Sequence, residues 1–158
     1  MNEFKNVKDL INDWLLGMII ASFSFSAGFV IRLEREKISD EKPNVLYLDI
    51  KAAARSGDKA SWEKLVASLP YKARRGEVDE PALAYMIMLL VGSEITSVDL
   101  DDDGSISISI GTTDGETLYI SGVDDVWDES WVLSEASEVC GENQRAVICS
   151  ASGNLSVT

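Results

Sequence analysis

The order of helix-like and strand-like segments is repeated along the 158-residue chain, and this repeat constrains the fold more than any other feature. In the first copy, apolar residues at helical spacing run up to Gly17, and three strand-like segments follow, the last being Val45 to Ile50. In the second copy, the apolar run Leu83 to Val91 ends at Gly92, and strand-like segments follow as far as Ile120. The repeat predicts an α+β fold with two copies of a helix plus an antiparallel three-strand unit.

Residues that match between the two copies support a duplication. Four pairs match at an offset of 75 residues, namely Gly17 with Gly92, Ile20 with Ile95, Phe23 with Val98 and Phe25 with Leu100. In the last strand of each copy, Leu46-Tyr47 matches Leu118-Tyr119 at an offset of 72. A chance similarity between two amphipathic hairpins is the alternative explanation.

The repeat divides the chain into three parts that we expect to pack as one compact domain. Residues 1–51 form the first unit, residues 52–78 form a basic helical linker, and residues 79–158 form the second, acidic unit with a C-terminal hairpin. A chain of this length buries roughly 70% of the surface that its unfolded form exposes, so a single core is feasible.

Two further helices are predicted in the linker and at the start of the second unit. The linker helix follows from four apolar residues at helical spacing, with Asp58 as its N-cap and Pro70 as its end. Asp79 is the predicted N-cap of the next helix, which is apolar on every side and is therefore expected to be buried.

Charge is distributed unevenly along the chain. The formal net charge is −13, but residues 1–75 carry 13 basic and 10 acidic side chains, whereas residues 76–158 carry 17 acids and one base, Arg145. The acids of the second half therefore face solvent, the basic first half or a partner. Because nucleic-acid binding needs clustered Lys and Arg, this balance excludes direct binding of DNA or RNA and favours a basic protein partner.

Composition also excludes several kinds of catalysis. The chain has no His, which removes Ser-His-Asp and Cys-His nucleophile pairs and His-containing zinc sites. No phosphate-binding loop, dinucleotide fingerprint or G-x-S-x-G motif occurs. Cys140 and Cys149 have no neighbouring His to activate them, and we expect both to be free, packed thiols. The sequence therefore predicts a protein that is not an enzyme and needs no cofactor.

The uncharged run from Trp14 to Ile31 is long enough for a membrane span. Its serines alternate with phenylalanines, however, as in a half-buried strand. Glu3, Asp9 and Asp13 also occupy the place where an export signal would be positively charged. We therefore expect a cytoplasmic protein that does not bind a membrane.

The segment Asp99 to Gly104 matches the opening of an EF-hand loop, in which alternating carboxylates and a glycine surround a calcium ion. The twelfth position is Ile110, which cannot supply the bidentate carboxylate that completes such a site. The alternative is a turn that needs no metal, because the matching turn of the first unit has no carboxylate. The candidate ligands of a calcium-binding structural module are Asp99, Asp101 and Asp103, with Asp114 more distant.

Two tryptophans lie four residues apart among acids in the second unit. An aromatic anchor surrounded by carboxylates is what a basic partner surface would select, although tryptophans are also common in protein cores. The candidate partner-binding residues are Asp101, Asp102, Asp103, Asp114, Glu116, Asp124, Asp125, Trp127, Asp128, Glu129 and Trp131.

The hairpin Val98 to Ile106 has the pattern V-x-L-x-x-D-G-x-I, and the segment Ile95 to Ile110 around it resembles bacterial immunity proteins of contact-dependent and type VI toxin systems. Thr117 to Ile120 and Val147 to Val157 contribute to the likeness, which covers about a fifth of the chain. The resemblance implies tight inhibition of a cognate toxin, often a basic nuclease. It identifies no particular family and transfers no site residue.

Two other possibilities follow from the same acids. A phage-type DNA mimic directed at a host nuclease or repressor would present a similar negative surface. The basic linker of one copy would also be able to pair with the acidic half of another, so we expect a monomer or a weak homo-oligomer.

Overall fold

The computed structural model describes residues 3–25, 28–69, 79–111, 115–136 and 144–158. Within these residues the chain forms three helices and ten strands, which confirms the predicted α+β class. The helices are α1 (Glu3–Leu15), α2 (Lys59–Ser68) and α3 (Glu80–Leu90). The strands are β1 (Met18–Phe25), β2 (Phe29–Arg35), β3 (Val45–Ile50), β4 (Ala54–Ser56), β5 (Ile95–Leu100), β6 (Ile106–Ile110), β7 (Glu116–Ile120), β8 (Glu129–Glu135), β9 (Ala146–Ser150) and β10 (Leu155–Val157).

The first two helices form where the apolar spacing predicts them. The buried side of α1 consists of Val7, Ile11, Trp14 and Leu15. α2 begins after Asp58, whose side chain accepts a hydrogen bond from the backbone N–H of Ser61, as expected for an N-cap. The predicted end of the linker helix at Pro70 and the predicted turn at Ser26-Ala27 lie outside the described residues.

α3 differs from its prediction on one side. Four of its residues, Ala82, Leu83, Ile87 and Leu90, are buried in the core. Tyr85, Met88 and Leu89 are exposed, so the prediction of a helix buried on every side is wrong. The reason is that α3 packs with one face on β1 and β4 and leaves the opposite face free. Asp79 is the N-cap residue, but its side chain makes no capping hydrogen bond.

The strands form two antiparallel sheets. The six-stranded sheet has the order β1-β2-β3-β8-β9-β10, and the four-stranded sheet has the order β4-β7-β6-β5. Because successive side chains of a strand point to opposite faces of the sheet, one set of side chains lies in the core. In β6, for example, Ile106, Ile108 and Ile110 are buried and the serines between them are partly exposed. The predicted C-terminal hairpin is confirmed as β9 and β10.

Two segments carry the chain from one sheet to the other. Residues 51–53 connect β3 of the six-stranded sheet to β4 of the four-stranded sheet, and residues 121–128 lead from β7 back to β8. The two segments run side by side, because Ala52 N donates to Ser130 O at 2.9 Å and Ser121 N donates to Ala53 O at 2.9 Å. The first half of the chain thus adds β4 to the four-stranded sheet, and the second half adds β8, β9 and β10 to the six-stranded sheet.

The two sheets also meet at their edge strands β1 and β5. Gly17 N donates to Ile95 O at 3.1 Å, and Gly92 N donates to Ile20 O at 2.8 Å. Both glycines follow a helix and have positive φ, 80° and 86°, which suits glycine at a helix end. The two hydrogen bonds are reciprocal, since an offset of 75 residues exchanges Gly17 with Gly92 and Ile20 with Ile95.

Each helix also packs against a strand from the other half of the chain. α1 packs against β5 of the second half, and α3 packs against β1 of the first half. A single antiparallel bridge between Ile19 and Glu94, which are also 75 residues apart, lies between the two contacts. In the third strand after each of these helices, Leu48 of β3 lies opposite Ile31 and Leu118 of β7 lies opposite Ile108.

The uncharged run from Trp14 to Ile31 is divided between the end of α1 and the strands β1 and β2. Among the residues that the structure describes, none of the helices has the length and hydropathy that crossing a membrane requires.

Candidate partner-binding site

Three turns converge at one end of the molecule. The β5–β6 turn contributes Gly104, the segment after β7 contributes Gly122, and the β9–β10 turn contributes Gly153. A Cβ atom on Gly122 or on Gly153 would overlap the carbonyl oxygen of Asp103, so the three turns touch through bare backbone. We call the region formed by residues 99–105, 121–129 and 150–154 the acidic end.

Hydrogen bonds fix the segment 121–129 to the other two turns. Asp124 N donates to Ala151 O at 3.1 Å, and Ala151 N donates to Asp128 O at 2.9 Å. Gly122 N donates to the Ser105 hydroxyl at 3.0 Å. The acids of the β5–β6 turn and those of the segment 121–129, which are separate in sequence, are therefore held together by the fold.

The acidic end exposes carboxylates that are not neutralised. Asp101, Asp102, Asp103, Asp125 and Asp128 are all exposed. Within the described parts of the chain, no Lys or Arg lies within salt-bridge distance of these five carboxylates. Unscreened carboxylates this close together produce a strong negative potential over the surface.

Lys8 and Lys51 border this surface, and each is already paired. Lys8 Nζ lies 2.8 Å from Asp99, and the pKa of Lys8 is raised by that hydrogen bond and by the charges of Asp99, Asp101 and Asp102. Lys51 Nζ lies 2.9 Å from Glu129, which raises the pKa of Lys51. The predicted partner-binding residue Glu129 is therefore an ion-pair partner within the fold.

Apolar side chains lie among the exposed acids. Val123 and Val126 are 45% and 59% exposed, and Trp127 is partly exposed. An apolar centre with a charged rim is the usual arrangement of a protein interface. The sequence does not predict Val123 and Val126 as site residues, because its signals for a binding surface are charge and aromatic side chains.

The other predicted tryptophan is not at the surface. Trp131 is fully buried, and its indole Nε1 donates to Gly104 O at 2.9 Å. Asp124 is only 7% exposed, and its Oδ1 accepts from Val126 N at 3.0 Å. Both predictions of surface contact are therefore wrong for these side chains, because Trp131 lies on the inward face of β8 and Asp124 holds the turn after β7.

The remaining predicted partner-binding residues lie elsewhere. Glu116 begins β7, at the end of that strand away from residue 121, and lies opposite Ile110. The structure therefore separates Glu116 from the acidic end. Asp114 is outside the described residues.

The candidate calcium ligands do not form a cation site. Asp99 Oδ1 accepts hydrogen bonds from Lys8 Nζ and Leu100 N, and Asp103 Oδ1 accepts one from Ser105 N. These hydrogen bonds lower the pKa values of Asp99 and Asp103. Among the residues described here, no group of three His, Cys, Asp or Glu side chains is arranged to hold a metal ion. The carboxylates shape the turn instead.

Cys149 lies directly beneath the three turns. It is a free, buried thiol whose Sγ lies 3.5 Å from Gly122 O and 3.7 Å from Gly104 O. Burial, with a smaller contribution from the charge of Asp103, raises the pKa of Cys149 to about 11. The thiol is therefore neutral and structural, as expected for a packed cysteine, whereas Cys140 is outside the described residues.

An open cavity of about 600 Å³ adjoins the acidic end on the outer face of the four-stranded sheet. The Arg55 guanidinium lies 4.2 Å from the centre of the Tyr119 ring on the cavity wall, and Asp101 and Ser105 line the side nearest the acidic end. The sequence does not predict this cavity, because it depends on the pairing of β4 with β7. Its walls combine polar and apolar side chains.

A comparison of the chain with known protein families finds no match, and searches of curated proteins and of solved structures find none either. The function of the acidic end is therefore inferred from its own charge, shape and exposed residues.

Proposed function

We propose that the protein is an acidic inhibitor of the immunity-protein type, which binds and neutralises a basic protein such as the nuclease domain of a bacterial toxin. The observation that carries this proposal is the convergence of two acidic segments around exposed apolar residues. Asp101 to Asp103 lie on a turn that contacts Gly122, and the exposed Asp125, Val126 and Asp128 and the partly exposed Trp127 follow in the same segment as Gly122. Such a surface complements a cationic cleft that is built to hold phosphates.

Charge supports fast recognition of such a partner. The chain carries a net charge of −13, and five exposed carboxylates of the acidic end have no Lys or Arg within salt-bridge distance in the described parts of the chain. Complementary fields steer association and raise on-rates to roughly 10⁸ M⁻¹s⁻¹ at low salt. Speed is an advantage for an inhibitor that has to act before its target damages the cell.

Rigidity supports tight binding. The acids lie on turns that are held by close glycine contacts and by hydrogen bonds between segments distant in sequence. A surface that is already ordered loses little conformational entropy when it binds, so more of the interaction free energy appears as affinity. The role proposed for Gly104, Gly122 and Gly153 is therefore to position the carboxylates.

We place this activity in the cytoplasm and expect the protein to act as a monomer. The free thiol of Cys149 supports a reducing compartment, where disulfides are rare. The negative charge that attracts a basic partner also repels a second copy of the same chain, which supports a monomeric state.

The proposal is tested with a matched pair of charge-reversal variants. The site variant carries Asp101→Lys, Asp125→Lys and Asp128→Lys, and the control carries Glu36→Lys, Asp40→Lys and Glu41→Lys, which are exposed acids outside the acidic end. Both change the net charge by the same amount. The probe is a basic nuclease domain of a bacterial toxin, taken from a neighbouring gene where one is encoded there.

We expect the site variant to lower the on-rate at least about tenfold at low salt and to lose protection against the toxin, whereas the control changes the on-rate by less than about threefold. The measurement is surface plasmon resonance at two salt concentrations. Equal effects of the two variants, or binding that is insensitive to salt, would contradict the proposal.

We also infer that the fold arose by duplication of a helix-strand-strand-strand unit. The reciprocal hydrogen bonds of Gly17 with Ile95 and of Gly92 with Ile20 support this origin. A second support is that β1 and β5 each shift register after the equivalent residues Ile20 and Ile95. An experimental structure in which the two units superpose at this offset tests the inference.

The duplication explains why the acids are found on one copy. In the first unit, the residues that correspond to the β5–β6 turn are Ser26-Ala27-Gly28, which carry no charge. The same turn position therefore became acidic only in the second unit. This difference fits a division in which one unit completes the scaffold and the other provides the binding surface.

A further inference from the structure

The outer strand of the six-stranded sheet, β10, has an unpaired edge. Among the residues that the structure describes, it pairs with β9 alone, in the antiparallel register that places Leu155 opposite Cys149 and Val157 opposite Val147. On either side of these residues, Ser150 N donates to Asn154 O and Thr158 N donates to Ala146 O. Because backbone groups alternate in direction along a strand, Leu155 and Val157 turn their N–H and C=O groups away from β9.

A groove runs beside this free edge. It has a volume of about 350 Å³ and lies between α1 and β10, with Val7 and Leu10 on the helix side and Leu155 and Val157 on the strand side. Val157 is 46% exposed. A strand added next to β10 would place alternate side chains in this apolar groove and the others on the outer face of the sheet.

The edge strand is only three residues long, but no charge, proline or bulge protects it. Natural sheets block their edge strands with charged residues, proline or bulges, because a free edge is a template for another strand. The segment from Ser152 to Thr158 contains no charged residue and no proline. β10 also pairs with β9 without a shift in register. The edge thus retains the features that allow a strand to be added.

We propose that β10 receives an extended segment of the basic partner as a seventh strand of this sheet. The proposal rests on the proposed function for the charge of that segment. The β9–β10 turn is part of the acidic end, where Gly153 contacts Asp103, so a strand at this edge would have one end beside those carboxylates. A segment that alternates basic and apolar residues fits both the acids and the groove.

A second copy of this chain is a poorer occupant of the edge. Two copies would each carry a net charge of −13 and would repel each other. A dimer at this edge would be held only by the outward N–H and C=O groups of Leu155 and Val157. A cationic segment experiences attraction at the same place.

The test uses a synthetic peptide of nine residues in which Lys alternates with Val. Its control has the same sequence, but alternate backbone nitrogens are methylated, so that charge and side chains are kept and strand pairing is blocked. Binding to the full chain is measured by calorimetry, and amide exchange by NMR identifies the protected N–H groups. We expect the unmodified peptide to bind and to protect the amides of Leu155 and Val157.

Two variants separate backbone pairing from side-chain contact. Val157→Pro removes an outward N–H without removing a bond to β9, and proline is tolerated at such an edge position. Val157→Ala keeps the N–H and removes methyl groups. We expect Val157→Pro to weaken peptide binding at least about tenfold and Val157→Ala to weaken it about threefold or less.

Strand addition is wrong if the peptide does not bind, if the methylated peptide binds equally well, or if Val157→Pro has no effect. It is also wrong if sedimentation shows a dimer of the free chain that Val157→Pro dissociates, because the occupant would then be a second copy. If the Asp101, Asp125 and Asp128 reversals weaken toxin binding and Val157→Pro does not, the proposed function stands and strand addition fails.

Discussion

The indole Nε1 of Trp131 on β8 donates a hydrogen bond of 2.9 Å to the carbonyl oxygen of Gly104 in the β5–β6 turn. Both groups are buried, and the bond joins the six-stranded sheet to the turn that carries Asp101 to Asp103. This contact therefore stabilises the core and also holds the acidic turn in place.

Replacement of Trp131 by Phe tests that contact. We expect Trp131→Phe to lower the free energy of unfolding by about 2 kcal/mol, because it leaves the Gly104 carbonyl without its indole donor and removes buried volume. Urea denaturation measures the change. Trp127→Phe is the control, since Trp127 is partly exposed, and we expect it to cost less than about 0.5 kcal/mol. Equal effects of the two substitutions would contradict the assigned role of Trp131.

The packing of the three glycine turns is tested by comparing two glycines with similar backbone angles. Gly153 has a φ of 83° and Gly92 has a φ of 86°. An alanine Cβ at Gly153 would overlap Asp103 O, whereas nothing lies within 4 Å of a Cβ at Gly92. We expect Gly92→Ala to cost about 1 kcal/mol for the backbone conformation alone and Gly153→Ala to cost about 2 kcal/mol more. Thermal unfolding measures both, and similar losses would show that the turns are not closely packed.

Cys149 is expected to be unreactive in the folded protein. Its pKa is raised from an ordinary value of 9.0 to about 11, which lowers the thiolate fraction roughly 100-fold at pH 8, and burial excludes the reagent. The measurement is the rate of reaction with a disulfide reagent, made in the Cys140→Ser variant so that Cys149 alone reports. We expect fast labelling in urea and slow labelling in buffer. Rapid labelling of the native protein would contradict the burial.

The same shift predicts a loss of stability in alkali. Because the pKa of the Cys149 thiol is higher in the folded than in the unfolded chain, folding favours the neutral thiol. Its contribution is fully present below a pH of about 9 and is lost as the pH rises toward about 11. We expect Cys149→Ala to remove this part of the pH dependence when unfolding is followed across that range.

Asp49 is expected to destabilise the protein at neutral pH. Burial raises the pKa of Asp49, a change that Lys51 opposes and Glu129 reinforces, and its Oδ1 has no hydrogen-bond partner among the described groups. The penalty is therefore absent below the unfolded pKa near 3.8 and develops as the pH rises through the higher folded pKa. We expect Asp49→Asn to be more stable than the original chain at pH 7, by up to about 1 kcal/mol, and to lose this advantage in acid.

The control for this prediction is Asp125→Asn, because Asp125 is exposed and is not expected to change stability. Urea denaturation at several pH values between 3 and 7 gives the comparison. A difference between the Asp49 variant and the original chain that does not change with pH would contradict an origin in ionisation.

Elements that depend on residues close together in the sequence could be predicted. The apolar spacing of α1, the alternation of Ile106, Ile108 and Ile110, and the hairpin of β9 and β10 all follow from local periodicity and from glycines at the turns. The strand β8 could not be predicted in this way. Its acids and Trp131 look like a surface segment until β3, more than 80 residues earlier in the chain, is known to be its neighbour.

The candidate site could likewise be predicted only where it depends on local sequence. The charge of the two acidic segments is visible in the sequence, and five of their exposed carboxylates do lie together at the acidic end. Their convergence depends on contacts of Gly122 and Gly153 with Asp103, which no local pattern encodes. For the same reason, the burial of Asp124 and the separation of Glu116 became clear only from the pairing of strands.

The exchange of strands between the two halves has a consequence for synthesis. On the ribosome, β3 is made long before β8, and one edge of β3 remains unpaired until residues 129–135 have left the exit tunnel. The early chain therefore carries an open, apolar strand edge while translation continues, a form that invites aggregation or capture by chaperones. Completion of the first sheet is a late event, and a chain that stops before β8 cannot reach the native state.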